Sequence, residues 1–143
     1  MPNTNFSISF DEAQLLMNYC IEVANLHKVP GAIAIVDNGG HLIILNRLDH
    51  TMLSAATITI GKAATAVAFQ RNTNVLEDVI QEERSTMLVL NSVTPQPYDL
   101  LKGGYLIKIK GHIIGAIAVA GTMDALMDEV VAEEALELFY KEN

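Results

Sequence analysis

The sequence predicts an α+β domain in which helices pack on one antiparallel sheet. Two apolar, β-branched segments, "GAIAIVDNGGHLIILNRLD" and "YLIKIKGHIIGAIAVAG", each fold back on themselves at a turn. Strands that follow one another this closely pair antiparallel, without a crossover helix. Helical periodicity appears before, between and after the two hairpins. The 143 residues fit a single domain over 1–143.

The first helix opens at "SISFDEAQ", where Ser9 stands three residues before Glu12 as a capping box. Ala13, Leu16, Met17, Cys20, Val23, Ala24 and Leu26 give it an apolar stripe, and Pro30-Gly31 ends it. The first hairpin turns at Asp37-Asn38-Gly39-Gly40, residues that tolerate positive φ. Thr51 to Phe69 reads as a buried helix, followed by a shorter polar helix from about Val75. "NSVTPQPYDLLKGG" is a loop, and the second hairpin turns at Lys110-Gly111. The last helix spans about Asp124 to Tyr140.

Composition narrows the function. Hydrophobic residues make up 50% of the chain and mean hydropathy is +0.28, apolar for a small soluble domain. A membrane span is not expected, because the longest apolar stretch carries Lys62 near its centre. Surface covered by other subunits is the better explanation, so a homo-oligomer is expected. The formal net charge is −8, concentrated in the last helix, which argues against nucleic-acid binding. One cysteine, Cys20, leaves no internal disulfide. The first ten residues lack the pattern of a signal peptide, so a cytoplasmic protein is expected.

Lys62 is the feature that asks for an explanation. On a helical wheel it shares an arc with Ser54, Thr57, Gly61 and Thr65, opposite Ala, Ile, Leu and Val. Either its ammonium snorkels to solvent, or it holds a carboxylate or an anionic ligand. Asp49 is the nearest acid in sequence, and "NRLDH" places Arg47, Asp49 and His50 together at the strand-to-helix junction. A phosphate-binding loop is excluded, since Ala63 follows Gly61-Lys62 and Ala56 occupies the first glycine position.

"AIVDNGGHLIILNRLD", "GKAATAVAF", "GGYLIKIKGHIIGAIAVAG" and "DALMDEVVAEEALE" resemble the GlcG/HbpS family, which includes the C-terminal domain of PduO-type corrinoid adenosyltransferases. The resemblance runs from about Ser9 to Leu138. It implies a profilin-like fold with a five-stranded antiparallel sheet, and dimers or higher symmetric assemblies. It also implies a tetrapyrrole, haem or corrinoid, as a candidate ligand, and a link to glycolate or diol/glycerol utilisation. Arg47 and Asp49 match the family's R-x-D, Lys62 and Thr65 its K-A-x-T-A, and Gly103-Gly104 its G-G. His50 departs from the small residue usual there, and Tyr105-Leu106 and Ala118 and Ala120 are further departures.

The expected ligand site therefore comprises Arg47, Asp49, His50, Lys62, Thr65, Gly103 and Gly104. Its arginine, lysine and glycine amides suit a small anionic metabolite or haem propionates. His27, His41 and His112 read as exposed or capping residues, and no pair has metal-ligand spacing. Glu129, Glu133 and Glu137 read as a solvated helix face, and no metal site is expected. The alternatives are an enzyme, haem-degrading or acting on a small organic acid or aldehyde, and a structural partner of a dehydratase or microcompartment enzyme. No Ser-His-Asp order appears, and Cys20 lies on a core stripe; an Asp49–Lys62 acid–base pair is the enzymatic alternative's only candidate.

Overall fold

The computed structural model describes residues 5–82 and 98–142. In chain order these form α1 (Phe10–Leu26), the hairpin β1 (Ala32–Asp37) and β2 (Leu42–Arg47), α2 (Ala55–Phe69), α3 (Thr73–Glu82), the hairpin β3 (Gly104–Ile109) and β4 (His112–Ala120), and α4 (Ala125–Lys141). The capping box forms as expected: the Glu12 amide donates to Ser9 Oγ at 3.1 Å and the Ser9 amide to Glu12 Oε1 at 3.0 Å. The third helix begins at Thr73, ahead of the expected Val75. Part of the predicted loop, with Pro95 and Pro97, lies outside the described residues.

The sheet runs β2-β1-β4-β3 with every pair antiparallel. Its alternation sorts the core onto two sides. Ile33, Ile35, Ile117 and Val119 point to a cluster with Leu16, Met17, Val131 and Phe139 of α1 and α4. On the other face, Ala32, Ala116, Ala118 and Ala120 meet Ala55, Ala63 and Ala66 of α2. Alanine against alanine brings the α2 backbone close to the sheet. Gly115 serves the same economy within the sheet, where a Cβ would stand 2.3 Å from the Val36 carbonyl oxygen.

The α+β class stands, with four strands among the described residues rather than the five implied by resemblance. On the outer edge of β3 the amides of Gly104, Leu106 and Lys108 donate instead to the side chains of Thr73, Asn72 and Tyr140. No helix among the described residues is long and apolar enough to cross a membrane.

Candidate functional site

The seven expected ligand residues fall into two groups. Lys62, Thr65, Gly103 and Gly104 sit where α2 crosses β3 and β4. The lysine is 3% exposed. Its Nζ donates to the Val119 carbonyl at 3.1 Å and to Asp128 Oδ2 at 3.4 Å. Asp128 belongs to the first turn of α4. Its other oxygen lies 3.2 Å from the Thr122 amide and 2.5 Å from Thr122 Oγ1. Both charges are thus desolvated together and hydrogen-bonded, the condition under which a buried pair is tolerated. The expected partner Asp49 is corrected to Asp128, because the Lys62 side chain extends along the sheet to the Val119 carbonyl and ends at the first turn of α4.

Gly103 makes room for the pair. Its φ is +119°, and a Cβ there would approach Val119 O to 2.5 Å and Lys62 Nζ to 3.0 Å. At Gly104 a Cβ would meet Lys62 O at 2.7 Å. Thr65 Oγ1 accepts the Asp99 amide at 2.8 Å, and Thr73 Oγ1 accepts that of Gly104 at 2.8 Å. The polar groups of this cluster are engaged with one another. It joins α2, α3, β3, β4 and α4, and the Lys62 ammonium is already taken up by Asp128 and the Val119 carbonyl.

Arg47, Asp49 and His50 are exposed at the β2–α2 turn. No hydrogen bond or ion pair among the described residues joins them to Lys62, so the single pocket of seven residues is not formed. Instead, Asp49 and His50 line a cleft of about 540 Å³ with Asn25, Lys28, Val29, Pro30 and Leu48. Thr51 builds it. Its hydroxyl accepts the Gly31 amide at 2.8 Å and lies 3.1 Å from the Gly31 carbonyl oxygen, tying the turn after β2 to the loop before β1. His50 adopts φ +68° at this turn.

His50 differs from the other histidines. His27 Nε2 is 3.0 Å from Glu134 Oε2 and His41 Nδ1 is 3.4 Å from Asp37 Oδ1. The His112 ring lies against Phe6, with centroids 4.5 Å apart. His50 has neither a hydrogen bond nor a ring contact among the described residues. Its imidazole is available to a ligand, with a cation, Lys28, and the apolar Val29, Pro30 and Leu48 around it.

The stripe of small residues on α2 does open onto space, but not beside the lysine ammonium. Thr57, Gly61 and Ala64 line a groove of about 390 Å³ with Gly40, Tyr98 and Asp99. Burial raises the Asp99 carboxyl above its usual range, partly offset by the Leu101 amide and the Lys62 charge. On α4, Glu133 accepts the Tyr105 hydroxyl at 2.6 Å. Glu129 is pushed up by burial and by the acids around it, against the pull of Lys102. Among the described residues no three His, Cys, Asp or Glu side chains converge to hold a metal ion.

Asp128, Thr122, Thr73 and Asp99 were not anticipated. For Asp128 a signal existed: it shares the buried arc of α4 with Val131, Ala132 and Ala135, the acidic counterpart of a lysine on an apolar helix.

Residues 8–137 match the family of haem degrading proteins described as HbpS-like, and the chain belongs to it. An uncharacterized 15.0 kDa protein of the dhaT-dhaS intergenic region of Citrobacter freundii is 30% identical over 113 residues, 78% of each chain. Protein GlcG of Escherichia coli K12 is 35% identical over 89 residues, 62% of this chain and 63% of its own. Among solved structures, the PduOC–haem complex superposes with a TM-score of 0.82 at 27% identity, covering 92% of this chain and 94% of that one.

Proposed function

We propose that the protein is a tetrapyrrole-binding accessory protein whose ligand, haem in the first instance, sits in the cleft at the β2–α2 turn. The observation that carries this is the His50 imidazole, unpartnered among the described residues, on a cleft of about 540 Å³. That volume lies within the range of small-molecule sites. Family membership and the likeness to a haem complex support the same ligand class.

The residues fit the group. A single histidine suffices as an axial ligand. Lys28 is the cation for a propionate, while Val29, Pro30 and Leu48 offer apolar contact to the ring. Bound haem would supply its iron as a site for small ligands or electrons; the chain's part is to hold and orient it. The cleft is open to solvent on one side, which suits a carrier or sensor better than a sealed reaction chamber. The reading extends to a single domain acting as a cytoplasmic homo-oligomer, with a five-stranded profilin-like sheet, attached to glycolate or diol/glycerol utilisation. In this reading Lys62, Thr65, Gly103 and Gly104 serve the fold; Asp49 lines the cleft, and Arg47 ends the strand that leads to it.

Titration of the purified protein with haem tests the proposal. Saturable binding at one haem per chain, weakened at least tenfold in His50→Ala, is expected. Binding of equal strength in His50→Ala would remove this cleft as the site.

A further inference from the structure

We propose that the groove along α2 binds a small organic ammonium ion, its nitrogen on the Asp99 carboxylate and its apolar body along Ile58, Ile60 and Ala64. The groove encloses about 390 Å³, within the range of small-molecule sites. It shares no lining residue with the His50 cleft. The two sites are separate, and neither depends on the other.

Asp99 is fixed so that one carboxylate oxygen is left over. Its amide donates to Thr65 Oγ1 at 2.8 Å, and its Oδ1 accepts the Leu101 amide at 3.1 Å. Oδ2 has no hydrogen bond and no ion pair among the described residues. Among the described residues that line the groove, Asp99 carries the only charge. Burial disfavours that charge. Lys62 eases it from a distance, but its ammonium is committed to Asp128 and the Val119 carbonyl, and Glu77 opposes it. An ammonium in the groove would supply the missing countercharge through a charge-assisted hydrogen bond. An anion would meet Asp99 as a like charge, and a neutral alcohol would leave its burial unrelieved. The net charge of −8 draws cations to the chain.

Gly61 keeps the place open. Glycine in the middle of a helix is destabilising relative to alanine. Here a Cβ would stand 3.2 Å from Asp99 Cβ and 3.9 Å from its Oδ2, so the bare backbone lets Asp99 lie against α2. The Tyr98 ring, edge-on to Phe69 with centroids 5.1 Å apart, adds an aromatic wall, which favours a cation over a neutral molecule.

Titration of the full chain with phenethylammonium at neutral pH, followed by two-dimensional amide NMR, tests the site. Saturable shifts are expected at the Gly40, Gly61 and Leu101 amides. Phenethyl alcohol and phenylacetate have nearly the same shape without the positive charge. Each should bind at least tenfold more weakly, the worth of a hydrogen bond to a charged group. Asp99→Asn should weaken phenethylammonium at least tenfold while remaining folded. Glu137→Gln removes the same charge from an exposed position on α4 and should bind like the wild type. No saturable shift at these amides, equal affinity for phenethyl alcohol, or wild-type affinity in Asp99→Asn would each overturn the proposal. So would an equal loss in Glu137→Gln, which would reduce the effect to net charge. If Asp99→Asn does not fold, the three probes on the wild type decide.

Discussion

Lys62 and Asp128, 66 residues apart in sequence, form a buried ion pair that pins the first turn of α4 to the middle of α2, with Nζ 3.4 Å from Oδ2. Removing one member leaves an uncompensated charge in the core. Lys62→Met should therefore cost roughly 3–5 kcal/mol of folding stability, measured by urea denaturation. Replacing both, as Lys62→Met with Asp128→Leu, should recover much of the loss. A lysine that merely snorkelled would give a wild-type curve for the single variant.

Gly103 is held to a glycine by the same pair. Gly103→Ala introduces a Cβ 2.5 Å from Val119 O at φ +119°, a clash with backbone that no rotamer relieves. The expected destabilisation is on the order of 1–3 kcal/mol or more. Lys110→Ala, at the solvent-facing β3–β4 turn, makes a control that should unfold close to wild type.

The Asp99 carboxyl responds to pH in a predictable direction. Burial raises its folded pKa above that of a free aspartate carboxyl, so the folded state holds this proton more tightly than the unfolded chain does. Ionised Asp99 therefore weakens the fold at neutral pH, and the penalty fades as pH falls through the raised folded pKa toward 3.8. Asp99→Asn should raise Tm at neutral pH by about 2 °C, with a smaller gain in acid. A Tm gain that grows in acid would contradict the desolvated carboxyl.

Cys20 should be inert in the native state. It is fully buried on α1, and burial pushes its thiol up to about 12. Thiol reagents in mildly alkaline buffer should label it only after denaturant is added. Rapid native labelling would show that α1 opens readily from the sheet.

Much of the fold was legible because it rests on short-range patterns. The Ser9–Glu12 cap, the Asp37–Gly40 turn and the periodicity of α1 each involve residues within a few positions of one another. Lys62 was conspicuous for a sound reason, a charge on a helix otherwise apolar, and its burial bears out the second of the two readings. Its partner was not legible from proximity in sequence: Asp49 is nearer along the chain, but chain distance says little once α4 folds back across the sheet. The apolar arc holding Asp128 between Val131 and Ala132 was the clue that complements it. Leu26, counted in the stripe of α1, is 73% exposed, since the last turn of that helix runs past the edge of the core. The division of the seven expected residues into a buried joint and an open cleft depends on how Thr51 ties the β2–α2 turn to Gly31, a contact spanning 20 residues.

If the His50 imidazole receives a tetrapyrrole in its cleft, binding must depend on that side chain. The most direct measurement is a haem titration followed through the Soret and visible bands, with His50→Ala and Lys62→Met alongside the wild type. Saturable binding in the wild type and at least tenfold weaker binding in His50→Ala are expected. Lys62→Met, compared where it remains folded, should bind like the wild type. Wild-type affinity in His50→Ala, or loss of binding confined to folded Lys62→Met, would contradict this placement and return the ligand to the buried face of α2.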